Sequence, residues 1–493
     1  MGVKHNRYNV FSNMGWKFGT NVGLQGVQII VSIILARLIL PQNYGIIAIV
    51  MVIISLCSVF VDFGLGSALI QKKDATQTDY SSVFYINLFV SVIIYAGLFF
   101  LAPLISRFYG EEYANLTIYI RVLGLTLIFL GINSVQNAYV FKNLLFKKTF
   151  IITCFGSVLS GIAGIVLAYT LPAEQKIWAL IAQSVVSSFL VTTGLWIYVG
   201  WRPKLIFSKN AAMPLFRFGW KILAKGTLNM LCANMRKLII GKIYTPGDLA
   251  YFDRGRQYPL TIAKTVDNSL SDVLFPVLAN AQDDIKSLKS MVRRTVQVCT
   301  YLTFPMLAGF AVVSQKFVLV LLTETWLPAV PFLRIFCIAQ LFRPLTGIQF
   351  RSLLALGRSD IALRNEIIRG IADVLILVIT IWWGVLWVAI GVLFAVLIEF
   401  LAYYLPNRRL IKYKFKELFF DIKSTCIMTL IMAGITFTAG FLKFEPGIVL
   451  ILQIITGAVT YIALSYITKN KSFIYILDII MHKASKNKKL DNK

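Results

Sequence analysis

Fixed charge set inside apolar sequence is the chemistry this chain offers. Arg217, Lys221, Lys225, Asn229 and Arg236 recur at mostly four-residue spacing through an apolar stretch. That spacing lines one face of a helix. A milder polar stripe, Lys17, Asn21, Gln25, Gln28 and Ser32, runs through an earlier stretch, and Lys264, Asp267, Ser271 and Asp272 follow in a later one. Asp62 stands between the first two, in a run of its own. Cations on helix faces hold phosphate or carboxylate by charge-assisted hydrogen bonds. Lys17, Lys221, Lys225, Arg236 and Lys264 are therefore the expected anion-binding set. Arg37, Asp62, Lys242, Asp267 and Asp272 are candidates for ion coupling or gating. Each residue also has a plainer reading: Lys17 and Arg217 can snorkel to one membrane surface and Arg37 and Lys242 to the other, while Asp62 can pair with a neighbouring cation to orient helices.

The elements that must position these residues are helices that cross a membrane. The chain has 493 residues, of which 58% are hydrophobic and only 14% charged, against about 25% charged in soluble domains. Apolar windows of spanning length, roughly 20 residues, recur along the whole chain. Fourteen are expected, from 16–39 to 446–467, all helical. Three of them, 219–241, 257–279 and 329–350, carry several charges, and twelve spans remain an open count if two of these fail. The first window follows the basic start Lys4–Arg7 and lacks a small-x-small cleavage site, so it reads as a span and not as a removable leader. A charge at the bilayer centre costs roughly 2.5–3.5 kcal/mol, so buried charges are expected to face protein or a watery cavity.

The net charge of +27 does not point to nucleic acid, because the cations are spread over short loops. Loops 201–218, 281–294 and 407–417 carry four, four and five basic residues. The alternating set of loops is represented by Arg37, Arg107, Lys176, Lys242, Lys316 and Lys443. This imbalance places both termini in the cytoplasm. The tail bearing Lys483, Lys486, Lys488 and Lys489 is expected to lie along anionic lipid.

The chain also echoes itself. Ala36-Arg37-Leu38-Ile39-Leu40-Pro41 resembles Gly241-Lys242-Ile243-Tyr244-Thr245-Pro246, and Val61-Asp62 falls on Val266-Asp267 at the same offset. With one gap, Gly15-Trp16-Lys17 falls on Gly219-Trp220-Lys221. Six spans separate the copies, so the repeat is parallel, and such repeats build two lobes around a central cavity. The expected organisation is an N-lobe over 1–200, a C-lobe over 201–410, two further helices over 411–468 and a basic tail over 469–493.

Enzymatic motifs are missing. Asp62-Phe63-Gly64 is a DFG string without kinase context, and Asn115-Leu116-Thr117 is a sequon that matters only in a secretory pathway. There is no Walker A loop, GxGxxG or HExxH, and the only histidines are His5 and His482. No cofactor is expected; a membrane potential or ion gradient is the expected drive. The six cysteines lie inside apolar runs without a CxxC pair, which favours small core residues over disulfides or metal. Among less specific sites, Arg369 and Asp373 are spaced to pair within a helix. Glu366 and Glu399 could relay protons, and Arg334, Arg343 and Arg351 could line a lateral entry or touch lipid phosphates.

Gly15-Trp16-Lys17, Leu35 through Gly45, Asp62-Phe63-Gly64-Leu65-Gly66 and Gln71-Lys72 resemble the N-terminal pattern of Wzx-type polysaccharide flippases. These belong to the multidrug/oligosaccharidyl-lipid/polysaccharide exporter superfamily. Tyr251-Phe252-Asp253-Arg254 through Leu274-Phe275-Pro276 resembles its eighth-span region. The resemblance implies fourteen helices in a V-shaped pair of lobes. It also implies a cationic lumen for an oligosaccharide on undecaprenyl pyrophosphate, with a polymerase and glycosyltransferases of the same pathway as partners. Asp62 and Asp267 depart from a purely basic lumen, which favours capsule, O-antigen or exopolysaccharide export over peptidoglycan. A drug/cation antiporter of the same superfamily is the alternative, disfavoured by a cationic cavity. A membrane glycosyltransferase or polymerase would need a catalytic residue on a sizeable outer loop, and the longest expected outer loop has about a dozen residues.

Overall fold

A computed structural model of the chain describes residues 7–113, 115–280 and 284–475. Side chains are described from Gly23 onward, except those of 210–212, 217, 218, 221 and 268–280. Every regular element among the described residues is helical. In chain order they are α1 (Arg7–Leu38), α2 (Pro41–Asp62), α3 (Leu65–Gln71), α4 (Gln77–Tyr109), α5 (Leu116–Lys142), α6 (Phe146–Thr170), α7 (Ile177–Tyr198), α8 (Lys209–Ile243), α9 (Pro246–Asn280) and α10 (Ile285–Phe317). There follow α11 (Val330–Gln340), α12 (Phe342–Ala355), α13 (Ser359–Thr380), α14 (Val385–Leu410), α15 (Phe415–Ala439) and α16 (Pro446–Ile467).

The protein is an all-α polytopic membrane protein, and each expected span falls on one of these helices or on a broken pair. Ten helical segments are long and apolar enough to cross a membrane. The segment Glu324–Ala355, which contains α11 and α12, is one of them. The expected spans on α1, α8, α9 and α13 are not among the ten. On α8 and α9 the charged faces lower the apolar average, and on α1 the part with described side chains, Gly23–Leu38, is apolar but shorter than a span. The surface carries the hydrophobic groups: Phe89, Phe100, Leu104, Leu430 and Tyr466 are exposed, while Asn87, Ser91 and Gln136 are fully buried. Lipid as solvent explains this arrangement, since polar side chains find partners only at helix–helix seams.

The second span is broken in the middle. Phe63 and Gly64 both have positive φ, 46° and 69°, ending α2 and starting α3 after a single turn of left-handed backbone. Glycine adopts that conformation without steric cost. At the same point α8 comes close: a Cβ on Gly219 would lie 2.5 Å from the Phe63 carbonyl oxygen, and Phe63 stacks on Phe216 at 4.6 Å. The break is thus a packing site for α8.

The echoed segments occupy equivalent structural positions. Pro41 opens α2 and Pro246 opens α9, each at the first helical turn, where a missing N–H costs nothing. The two starts touch. A Cβ on Gly45 would sit 1.7 Å from the Pro246 carbonyl oxygen, so only glycine permits the approach. The end of α9 differs from that of α2, because α9 continues through Asp267 to Asn280 while α2 stops at Asp62.

The chain divides into two compact units, Met1–Ala250 and Tyr251–Lys493. The repeat places α8 in the second copy, yet α8 packs on α2, α3 and α4 within the first unit. The first unit has a core around Leu65, Leu69, Val83, Val135 and Trp201. The second has one around Val292, Val296, Ile348, Tyr404 and Tyr413.

Candidate functional site: a charged cavity in the second unit

Four helices of the second unit place ionisable side chains around one cavity of 230 Å³. α9 contributes Asp267, with Lys264 one turn earlier. α12 contributes Arg343, Gly347 and Arg351 at four-residue spacing, hence on one face. α13 contributes Glu366, and α14 contributes Glu399 and Tyr403, again four apart.

Asp267 is the hub. Its Oδ1 accepts a hydrogen bond of 2.9 Å from Arg351 Nη2, and its Oδ2 lies 4.0 Å from Arg343 Nε. The side chains of Asp267 and Arg351 are only 13% and 16% exposed. Gly347 makes room for them: a Cβ there would lie 3.1 Å from Asp267 Oδ1 and 3.2 Å from Arg351 Nη1. On the opposite wall Glu366 accepts from Arg369 and, at 3.1 Å, from the Tyr403 hydroxyl. Glu399 makes no hydrogen bond to a described residue and lies in the field of Arg369, Glu366 and Arg343.

Three guanidinium groups (Arg343, Arg351, Arg369) thus face three carboxylates (Asp267, Glu366, Glu399). Lys264 adds positive charge at the edge, where it is exposed and shares the field of Arg343 and Arg256. The Arg343 Nε has no hydrogen-bond partner. That atom is buried and turned to Asp267, while the Arg343 side chain as a whole is 37% exposed, so the outer part of its guanidinium can take a phosphate oxygen while Asp267 holds its base.

The remaining expected residues distribute as follows. Asp62 is half-buried and accepts 3.0 Å from Ser134 Oγ, which in turn accepts 2.9 Å from Asn87 Nδ2. This places Asp62 in the polar seam of the first unit. On α8, Lys225 is exposed and Arg236 buried. Lys242, at the end of α8, donates to the Phe108 carbonyl and lies over the Phe108 ring, 4.7 Å from its centroid. Arg37 is exposed in the last turn of α1. Lys17, Lys221 and Asp272 lie on α1, α8 and α9, with side chains outside the described set, as is the tail with Lys483 to Lys489. Of the expected residues, the structure brings Asp267 to the cavity, with Lys264 one turn away on the same helix; Lys225, Arg236, Lys242 and Asp62 belong to the first unit.

Arg343 and Arg351, expected at a lateral entry or on lipid, instead face Asp267. A fourfold spacing of Arg343, Gly347 and Arg351 was the available signal, since a small residue between two arginines leaves room for a carboxylate. Arg334, from the same group, donates to Ser314 Oγ at 3.2 Å. Arg369 pairs with Glu366, three residues earlier, and has Asp373 in its field as well. The Lys72 of the family-like pattern is structural, holding the buried Asp79 carboxylate at 2.7 Å.

The fold defines the class. Over 94% of this chain and 99% of the other, it matches the lipid II flippase MurJ in its inward closed conformation, with a TM-score of 0.71 at 15% identity. A multidrug resistance MATE family transporter of the MOP superfamily, in its inward-facing conformation, matches with a TM-score of 0.63 at 13% identity, over 78% and 94% of the two chains. The architecture is therefore that of the multi-helix transporters of this superfamily. In sequence, the chain is 25% identical to the lipopolysaccharide biosynthesis protein WzxC of Escherichia coli (strain K12), over 74% of this chain and 73% of WzxC. It is 26% identical to the teichuronic acid biosynthesis protein TuaB of Bacillus subtilis (strain 168), over 62% of each chain. With the succinoglycan biosynthesis transport protein ExoT of Rhizobium meliloti (strain 1021), it shares 24% identity over 68% and 67%. Residues 34–331 match the family described as "Polysaccharide biosynthesis protein", and the chain belongs to that family.

Proposed function

We propose that this protein flips a lipid-linked oligosaccharide, carried on undecaprenyl pyrophosphate, from the inner to the outer leaflet of a bacterial cytoplasmic membrane by alternating access. Both termini lie in the cytoplasm in this reading. Cytoplasmic glycosyltransferases would supply the substrate and an outer-face polymerase or ligase would consume it. The observation that carries the reading is the partly exposed Arg343 guanidinium, which lines the cavity beside an Asp267 carboxylate that Arg351 also holds. A pyrophosphate needs several directed donors that survive partial desolvation, and a guanidinium held by a carboxylate provides them. The α8 cations Lys221, Lys225 and Arg236, with Lys17 of α1, are proposed as the anion-binding set of the first unit.

Family membership and the transport or biosynthesis roles named for WzxC, TuaB and ExoT support the substrate class. The reading as a drug antiporter is carried by fold likeness alone.

The test is surface polymer export in a strain whose own copy is deleted. Lys264→Glu with Arg343→Glu is expected to reduce export at least tenfold with the protein still present in the membrane, and Lys221→Glu with Lys225→Glu to do the same. Export unchanged by Lys264→Glu and Arg343→Glu removes the second-unit cavity from the mechanism.

A further inference from the structure

A second, larger cavity of 660 Å³ lies where α10 begins and the residues after α16 return, and it shares no lining residue with the first. Its cations are Lys286, Lys289, Arg293, Arg294 and Lys471. Two of these are spoken for. Lys289 holds Glu417 at 2.8 Å, and Arg293 binds Asp421 through Nε and Nη2, both at 2.8 Å. Gln297 completes the Asp421 shell at 2.7 Å. These bonds fasten α10 to α15. Lys286, Arg294 and Lys471 remain exposed, and none of them forms an ion pair with a carboxylate among the described residues. Arg294 is instead stacked on the Tyr475 ring, 3.7 Å from its centroid. Five cations against two carboxylates leave three positive charges in one pocket.

The depth of this pocket is set by α10 itself. The helix is 33 residues long, about 50 Å at 1.5 Å per residue, which exceeds the roughly 30 Å hydrocarbon core. Its charges end at Arg294, and from Thr295 to Gln315 it has none. That charge-free length is about one bilayer core. The basic pocket therefore stands at headgroup level. The next turns of α10 continue into an apolar groove of 590 Å³ along α15 and α16, lined by Leu302, Met306, Phe310, Met432, Ile454 and Ile462. The two cavities follow one face of α10, with Arg294 and Val298 lining the first and Leu302 and Met306 the second at four-residue spacing.

We propose that this seam is a binding site for an anionic bilayer phospholipid. Its phosphate is held by Lys286, Arg294 and Lys471, and one acyl chain lies in the groove. The charge of the pocket selects a head with net negative charge over a zwitterionic one, and the apolar lining of the groove suits an acyl chain. This site is separate from the substrate cavity, and it stands whether or not the protein flips a glycan. It would fasten α10, α15 and α16 to the leaflet on the side where both termini lie.

The test uses the purified full-length protein, delipidated in neutral detergent. Binding is measured by native mass spectrometry with three lipids: phosphatidylglycerol, phosphatidylcholine of the same acyl chains, and undecaprenyl phosphate. Phosphatidylglycerol is expected to bind at least tenfold more tightly than phosphatidylcholine. Lys286→Gln, Arg294→Gln and Lys471→Gln together are expected to remove the preference, at roughly fivefold per charge, with phosphatidylcholine binding unchanged. Should the triple variant fail to fold, Arg294→Gln alone and a salt series on the native protein read the same term, since the preference must fall as salt screens it. Equal binding of the two phospholipids by the native protein overturns the proposal. So does a preference that survives the triple variant or high salt, and so does binding of undecaprenyl phosphate alone.

Discussion

Asp267 shows what a single residue does in this protein. With Arg351 bonded and Arg343 4.0 Å away, its carboxylate is shared by two guanidinium groups and offsets one of the two charges that the membrane would otherwise penalise. Removing one partner of a buried pair leaves an uncompensated charge, at a cost of up to 3–5 kcal/mol. The cavity admits some solvent, so Asp267→Ala is expected to cost about 2 kcal/mol on that scale and to lower the melting temperature in detergent. Arg351→Ala costs less, because Arg343 remains to balance the carboxylate. In the double variant the losses do not add, with a coupling of roughly 1 kcal/mol or more. Strict additivity would show that the hydrogen bond contributes nothing. Residues such as Asp267 were legible in the sequence as buried charge, because hydrocarbon makes any charge conspicuous. Their partners were not. Arg351 lies 84 positions away, and no local spacing reports a contact between helices so distant in the chain. Arg369 shares its charge between Glu366 and Asp373 of its own helix, both at local spacing, but the further groups around it were not legible. Tyr403 and Glu399 come from another helix and redistribute the charges among several partners.

At the scale of the helix, apolar runs and the loops between them located the spans, since a bilayer imposes both length and composition. The interruptions were hidden. The turn at Phe63 and Gly64 inside the second span, and the division of the tenth into α11 and α12 at Leu341, leave hydropathy unchanged. They are set by what packs there, such as Gly219 of α8 against Phe63. The repeat was legible for a related reason: Pro41 and Pro246 start helices, and helix starts leave a chemical mark. Gly45 supplies the sharpest test of that junction. Its missing Cβ would fall 1.7 Å from a backbone oxygen, which no rotamer change can relieve. Gly45→Ala must push the starts of α2 and α9 apart, at the upper end of the roughly 1–3 kcal/mol that overpacking costs. Gly97→Ala, in α4, meets nothing within 4 Å and is expected to leave stability unchanged or slightly improved. Thermal unfolding of the two purified variants checks both, and a stable Gly45→Ala protein would dissolve the close approach.

For the molecule as a whole, the question is what drives transport in one direction. We propose the membrane potential or consumption of the product as the source of the energy. A pyrophosphate headgroup carrying two negative charges gains about 4–5 kcal/mol per 100 mV when it moves to the positive side, at ~2.3 kcal/mol per charge. An inside-negative potential therefore pushes the substrate outward, in the direction that polysaccharide assembly requires. The cations that bind it must remain with the protein for this gain to be realised. A cation that crossed with the substrate would cancel the charge moved, and it is here that Asp62, Asp267, Glu366 and Glu399 matter, as sites at which a cation could be taken up. The two schemes separate in proteoliposomes containing a lipid-linked oligosaccharide, with the potential set by potassium and valinomycin. If the potential drives flipping, substrate accumulates in the leaflet facing the positive compartment, and reversing the potassium gradient reverses the accumulation. Transfer that ignores the potential but follows a sodium or proton gradient would transfer the driving role to these carboxylates. Asp62→Asn and Asp267→Asn would then be expected to uncouple it, leaving equilibration between leaflets intact.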